Sequence, residues 1–237
     1  MMSAEIKPGR PVRVLAVFSF RYDAHLVPAM IENIAPMVDG WIAYDDRASN
    51  ALYSNEVRRR AMLLRAARNA GAAWALAIDP DERFEDGMAA AMPALLADTA
   101  TDVHTFALRE MYAPDTYRID GIWGEKRQGR LLSLKDGIVE PKGDLHLPWS
   151  AFLPKPQQVN NTPLNLYHLK MIAPERRSAR AALYKHLDPA GRMQKVGYDY
   201  LADETGAAFE TIPAGRSYSP AHVDDGELWM PRLMASA

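Results

Sequence analysis

At 237 residues with a formal net charge of −2, the chain has the length of one large α/β domain or two small ones, and its near balance of charge argues against nucleic acid as the main partner. A hydrophobic fraction of 48% with 24% charged residues excludes disordered and collagen-like classes, and the absence of cysteine excludes disulfide and thiolate chemistry. The opening MMSAEIKPGRPVRV has no apolar h-region and no stretch approaches about 18 uninterrupted apolar residues, so the expectation is a soluble cytoplasmic protein, a single domain over 1–237 with no transmembrane segment.

The first predicted strand is VRVLAVFSF, 12–20, rich in β-branched and aromatic residues and reached through Pro8, Gly9 and Pro11. A helix follows in which Leu26, Met30 and Ile34 recur at helical spacing, with Pro28 in its first turn and Pro36 at its end. VDGWIAYDD reads as the second strand. SNEVRRRAMLLRAARNAG reads as the second helix, with Ser54 as N-cap, Gly71 at C′ and an inner face of Val57, Ala61, Leu64 and Ala67. AWALAID is the third strand, so the first 80 residues or so alternate strand and helix as parallel α/β sheets do. Beyond it, GMAAAMPALLAD predicts a helix containing Pro93, VHTFALREMY a strand, and ERRSARAALYKHL an amphipathic helix. Residues 113–163 predict only irregular strands and loops.

In parallel α/β sheets ligands bind outside the carboxyl ends of the strands, and acidic residues gather there. Asp45 and Asp46 close the second strand, and Asp79 and Asp81 close the third in WALAIDPDERFEDG. An extended Asp-Pro-Asp would point both carboxylates to one side, an arrangement suited to Mg²⁺ or Mn²⁺. The same four residues are also good turn or N-cap chemistry, with Glu82 complementing the dipole of a following helix. The run Arg58, Arg59, Arg60 is placed to reach phosphate from the second helix, but a charged run at helical spacing reads first as a solvated face.

FSFRYDAHL, DDRASNAL and WALAIDPDERFE together resemble family 2 glycosyltransferases of the GT-A fold, over about the first 90 residues. The likeness departs from the family pattern at Tyr22, Asp23, Asn50 and Leu52. It implies a three-layer αβα sandwich with a mostly parallel central sheet, a nucleotide-binding half over 1–110 and an acceptor-binding half over 111–237. It further implies a metal-dependent transfer of a sugar from a nucleotide-diphosphate donor to an acceptor hydroxyl of a glycan, a lipid-linked or a small molecule, with inversion. Phe18, Ser19, Arg21, Asp45, Asp46 and Asp79 would then hold the nucleotide, and Asp79, Asp81 and His168 the Mn²⁺ or Mg²⁺. Among late carboxylates and histidines, Asp144 and His146 are the candidates for the base, ahead of Glu175 and Asp199, and either is equally a turn residue. Arg176, Arg177 and Arg180 are candidates to cover the leaving diphosphate, and Tyr198, Tyr200 and Trp149 to stack on sugars or to fill core.

Two other functions fit the same features. A nucleotidyltransferase would want a glycine-rich loop after the first strand, where Ser19-Phe20-Arg21-Tyr22 stands. A catalytically silent nucleotide- or sugar-binding module would need no base at all.

Overall fold

The computed structural model describes residues 1–9, 11–49, 55–142, 147–192, 194 and 196–230. From Val14 to Ala77 it follows the alternation read from the sequence, and an additional strand that the pattern does not predict precedes it. β1 (Met2–Ile6) is followed by β2 (Val14–Phe20), α1 (Val27–Ile34), β3 (Gly40–Asp45), α2 (Glu56–Asn69) and β4 (Trp74–Ala77). β2 lies parallel to both β3 and β4, as strands joined by helical crossovers must.

Period-two alternation sends side chains of each strand to opposite faces, and two cores result. Val14, Ala16, Phe18, Trp74 and Leu76 pack with Met30 and Ile34 of α1 and Met88 and Met92 of α3 (Met88–Ala97). Leu15, Val17, Ala75 and Ala77 pack on the other face with Val57, Ala61, Leu64 and Ala67, the predicted inner face of α2. Asn55 caps α2, its side chain accepting from the Arg58 amide; Ser54, the expected N-cap, lies outside the described residues. Gly71 follows the C-cap with φ +90°, a conformation that would strain a residue bearing a Cβ and that glycine adopts freely at C′. At Gly40, a Cβ would come within 2.3 Å of the Glu5 carbonyl oxygen, so a bare backbone is what lets β1 close on β3.

The second half departs from the expected mostly parallel sheet. β5 (Glu82–Phe84), β6 (Val103–Ala113), β7 (Thr116–Arg118), β8 (Arg127–Ser133), β9 (Val159–His168) and β10 (Phe209–Thr211) complete one open, mixed sheet. Only β6 with β9 adds a parallel pair; β1 with β3, β4 with β8, β5 with β9, β6 with β7, β6 with β8 and β7 with β10 run antiparallel. The physical reason is connection length. A parallel return needs a crossover of about a dozen residues or more, usually an α-helix, whereas β6 turns straight into β7 and only a short 3-10 turn, Gly121–Trp123, lies between β7 and β8. Parts of 113–163 expected to be irregular therefore supply ordinary ladder strands. α4 (Pro174–Leu187) follows β9. No helix among the described residues is long and apolar enough to cross a membrane.

Candidate functional site

The carboxyl ends of β2 and β4 open into a cleft of about 620 Å³ that is also lined by β6, β8, the end of β9 and α4. Asp79-Pro80-Asp81-Glu82 forms its floor, and it is a turn rather than an extended segment: the Glu82 amide donates to the Asp79 carbonyl at 2.9 Å. Pro80 takes the second turn position, where its fixed φ is at home. Both carboxylates still reach the cleft, but they are separately engaged. Asp79 pairs with Arg130 of β8 at 3.1 Å. Asp81 lies 3.4 Å from Nε2 of His168 and 3.7 Å from Arg180 of α4.

Glu82 does not start a helix. It opens β5, pairs in register with His168, and is fully buried against Arg130 while accepting from the Asp79 amide at 3.0 Å. The strand is held from its other side by Asn33 of α1, whose amide group accepts from the Phe84 N–H at 2.8 Å and donates to the Phe84 carbonyl at 3.0 Å. His168 is also in register with Glu110 of β6, so Glu82, His168 and Glu110 form a row across three adjacent strands. Its Nδ1 stands 3.0 Å from the Glu110 carboxylate.

Burial and the Lys170 ammonium push the His168 imidazole down, but Glu110 and Asp81 outweigh them and raise it to about 9, so it is a cation at neutral pH. Burial works against the charge of Asp81, yet His168, Arg180 and Lys170 hold its carboxyl well below the usual range. Glu110 is 1% exposed, and against that burial Lys170, His168 and Lys126 likewise keep it ionised. Asp23, in the loop after β2, is different. Burial, reinforced by the Asp81 charge, raises it to about 6.

The other expected donor residues divide. Ser19, Arg21 and Asp46 line the cleft, with Arg59 donating to Ser19 Oγ at 3.1 Å and both arginines within 3.7 Å of Asp46. Arg59 and Arg60 therefore leave the solvated face that the sequence suggested, and Arg60 lies 4.7 Å over the Trp149 ring. Phe18 is wholly buried in the core and Asp45 turns away to pair with Arg47 at 2.7 Å, so neither touches the cleft. Both residues sit on strands whose neighbours do, and alternation sends their side chains elsewhere. Arg176 is buried against Asp224, Asp225 and Trp229, and Arg177 against Glu204; of the three helix arginines only Arg180 faces the cleft. Tyr200 and Trp149 line the cleft, whereas Tyr198 is buried and donates to Asp188 at 3.1 Å. Asp144 and His146 lie outside the described residues. Glu175 is exposed and away from the cleft, and Asp199 is 85% exposed beside Lys185.

Among the described residues, no three of His, Asp and Glu are grouped as a metal cage. Asp81 Oδ1 and His168 Nε2 lie 3.4 Å apart, an ion-pair contact; they would share an ion only once the imidazole gives up its Nε2 proton and the two donors close to the spacing an octahedral ion sets. Asp79, held by Arg130, does not join them as placed. Comparison with models of known protein families finds no match, and neither does comparison with curated proteins.

Proposed function

We propose that the chain is a metal-dependent glycosyltransferase using a nucleotide-sugar donor, with a GT-A-like arrangement of its first half. The observation that carries this reading is the meeting of Asp81 and His168 at the mouth of β4, inside a cleft walled by arginines on the β2 and α2 side. Asp81 and His168 would hold Mn²⁺ or Mg²⁺. When bound, such an ion supplies Lewis-acid stabilisation to a departing diphosphate. Arg21 and Arg59, both near Asp46, together with Ser19, to which Arg59 donates, would receive the nucleotide. Arg130 keeps Asp79 oriented toward the same space.

The transfer forms a bond from an acceptor hydroxyl oxygen to the anomeric carbon and breaks the bond from that carbon to the diphosphate, with inversion. The hydroxyl proton passes to a base. Asp23, with its proton affinity raised to about 6, is a described cleft carboxylate matched to that task, alongside the sequence candidates Asp144 and His146. The cysteine-free chain suits a reducing compartment, and we place the reaction in the cytoplasm.

Donor hydrolysis and transfer to an acceptor panel, with and without EDTA, test this reading. Activity that EDTA and Asp81→Ala both abolish supports it; turnover untouched by either refutes the metal role. One observation favours a second reading. Asp79 and Asp81 are already balanced by Arg130, His168 and Arg180, so the same cleft serves a silent nucleotide- or sugar-binding module. Nucleotide binding by calorimetry with no turnover on any acceptor selects that module.

A further inference from the structure

Across the His168 row from the aspartates, the cleft wall changes character. Lys126, just before β8, and Lys170, just after β9, both turn their ammonium groups to one oxygen of Glu110, at 3.3 and 4.0 Å. Glu110 thus faces both ammonium groups with one oxygen while its other oxygen faces His168, and Lys170 also acts on the Asp81 carboxylate, which His168 and Arg180 approach as well. Arg180, on the next element, is directed to Asp81 at 3.7 Å rather than to Glu110 Oε1. The two lysines are 26% and 15% exposed, so their charges are presented to the cleft rather than sealed in the core. Among the described residues the Lys170 ammonium makes no hydrogen bond, its contact with Glu110 at 4.0 Å being an ion pair only.

The surroundings add an orientation. Lys126 Nζ lies 4.1 Å from the centre of the Trp123 ring and 5.9 Å from that of Tyr200, and Tyr200 lines the cleft. An aromatic face beside a pair of under-balanced ammonium groups is a receptor for a ring that carries an anion: the ring stacks, and the anion takes the N–H donors. A neutral sugar would leave that positive charge unanswered.

We propose that Lys126 and Lys170, with Tyr200, form a subsite for a sugar bearing a phosphate or carboxylate, so that the acceptor of the reaction is anionic. This rests on the glycosyltransferase reading above, and it names the class of acceptor. The alternative source of the same anion is the diphosphate of the donor.

The test uses the full chain, with glucose 6-phosphate, glucuronate and glucose as probes in ligand-observed NMR, and nucleoside diphosphate with Mn²⁺ in parallel calorimetry. Glucose 6-phosphate and glucuronate bind and glucose does not, with binding that weakens as salt is raised. Lys126→Ala and Lys170→Ala each weaken the charged sugars by about tenfold or more and leave the nucleoside diphosphate unchanged, while Lys126→Arg retains binding. Unfolding midpoints of the variants are measured alongside; should an alanine variant fail to fold, Lys170→Gln and the salt dependence of the wild type carry the comparison. Equal affinity for glucose and glucose 6-phosphate overturns the proposal, as does no binding of the charged sugars. Loss of nucleoside diphosphate affinity with charged-sugar binding intact assigns the lysines to the donor and also overturns it. The donor reading fails separately, when no nucleoside diphosphate binds the wild type.

Discussion

Glu110 Oε2 stands 3.0 Å from His168 Nδ1, so a carboxylate buried in β6 backs an imidazole whose other nitrogen faces Asp81. The imidazole thus stands between a buried carboxylate and the cleft floor. A carboxylate this close to a ring nitrogen favours the imidazolium cation.

The contact makes the charge of His168 depend on Glu110. Glu110→Gln should bring the imidazole from about 9 back toward its ordinary 6.5, a change read directly by NMR titration of the histidine ring. Stability carries the same signature. A raised histidine contributes stability that is complete below 6.5 and lost as pH climbs through about 9, so wild type should weaken over that window and Glu110→Gln should not. A ring that titrates identically in both proteins contradicts the arrangement.

Arg130 is the counter-charge on which buried Glu82 depends. Burial raises the Glu82 carboxyl, and Arg130 is the principal opposing influence. Arg130→Met leaves an uncompensated carboxylate and should cost about 3 kcal/mol in denaturant unfolding. Glu82→Gln in the same chain should restore much of that loss, because the charge that lacked a partner is gone. Additive losses in the two variants would mean that the pair is not coupled.

Asp23 carries an opposite sign. Its carboxyl is raised from 3.8 to about 6 by burial and the Asp81 charge, so above pH 6 the ionised form opposes folding, and that opposition fades as pH falls toward 3.8. Asp23→Asn, measured in EDTA, should therefore be more stable than wild type by about 2 kcal/mol near neutral pH and converge on it in acid. A difference that stays constant from about pH 4.5 to about pH 8 would refute the assignment.

How much of this was legible in the residues follows from where the chemistry is local. The strand and helix order from β2 to β4 is set by short-range periodicity, whereas β1 carries no such pattern; the inner face of α2 can be read directly from Val57, Ala61, Leu64 and Ala67. Asp81 stands out in WALAIDPDERFEDG and His168 only through the resemblance, and their meeting depends on β5 pairing with β9. Glu110, Lys126, Arg130 and Lys170 were missed because nothing near them in sequence marks them. Their roles arise when β6, β8 and β9 come side by side, through pairings that no local pattern fixes. The one available signal was Glu110 itself, a lone acidic residue inside the apolar run of VHTFALREMY. Phe18 and Asp45 show the converse: their strands follow from the local pattern, but alternation along each strand turns both side chains away from the cleft.

The central claim is that this cleft takes a nucleoside diphosphate over the Asp81 and His168 pair, and calorimetric titration of a nucleoside diphosphate panel with Mn²⁺ tests it most directly. At least one nucleotide should bind, with affinity reduced about tenfold or more by EDTA and by Asp81→Ala. A wild-type chain that binds none of them, with metal or without, would contradict it.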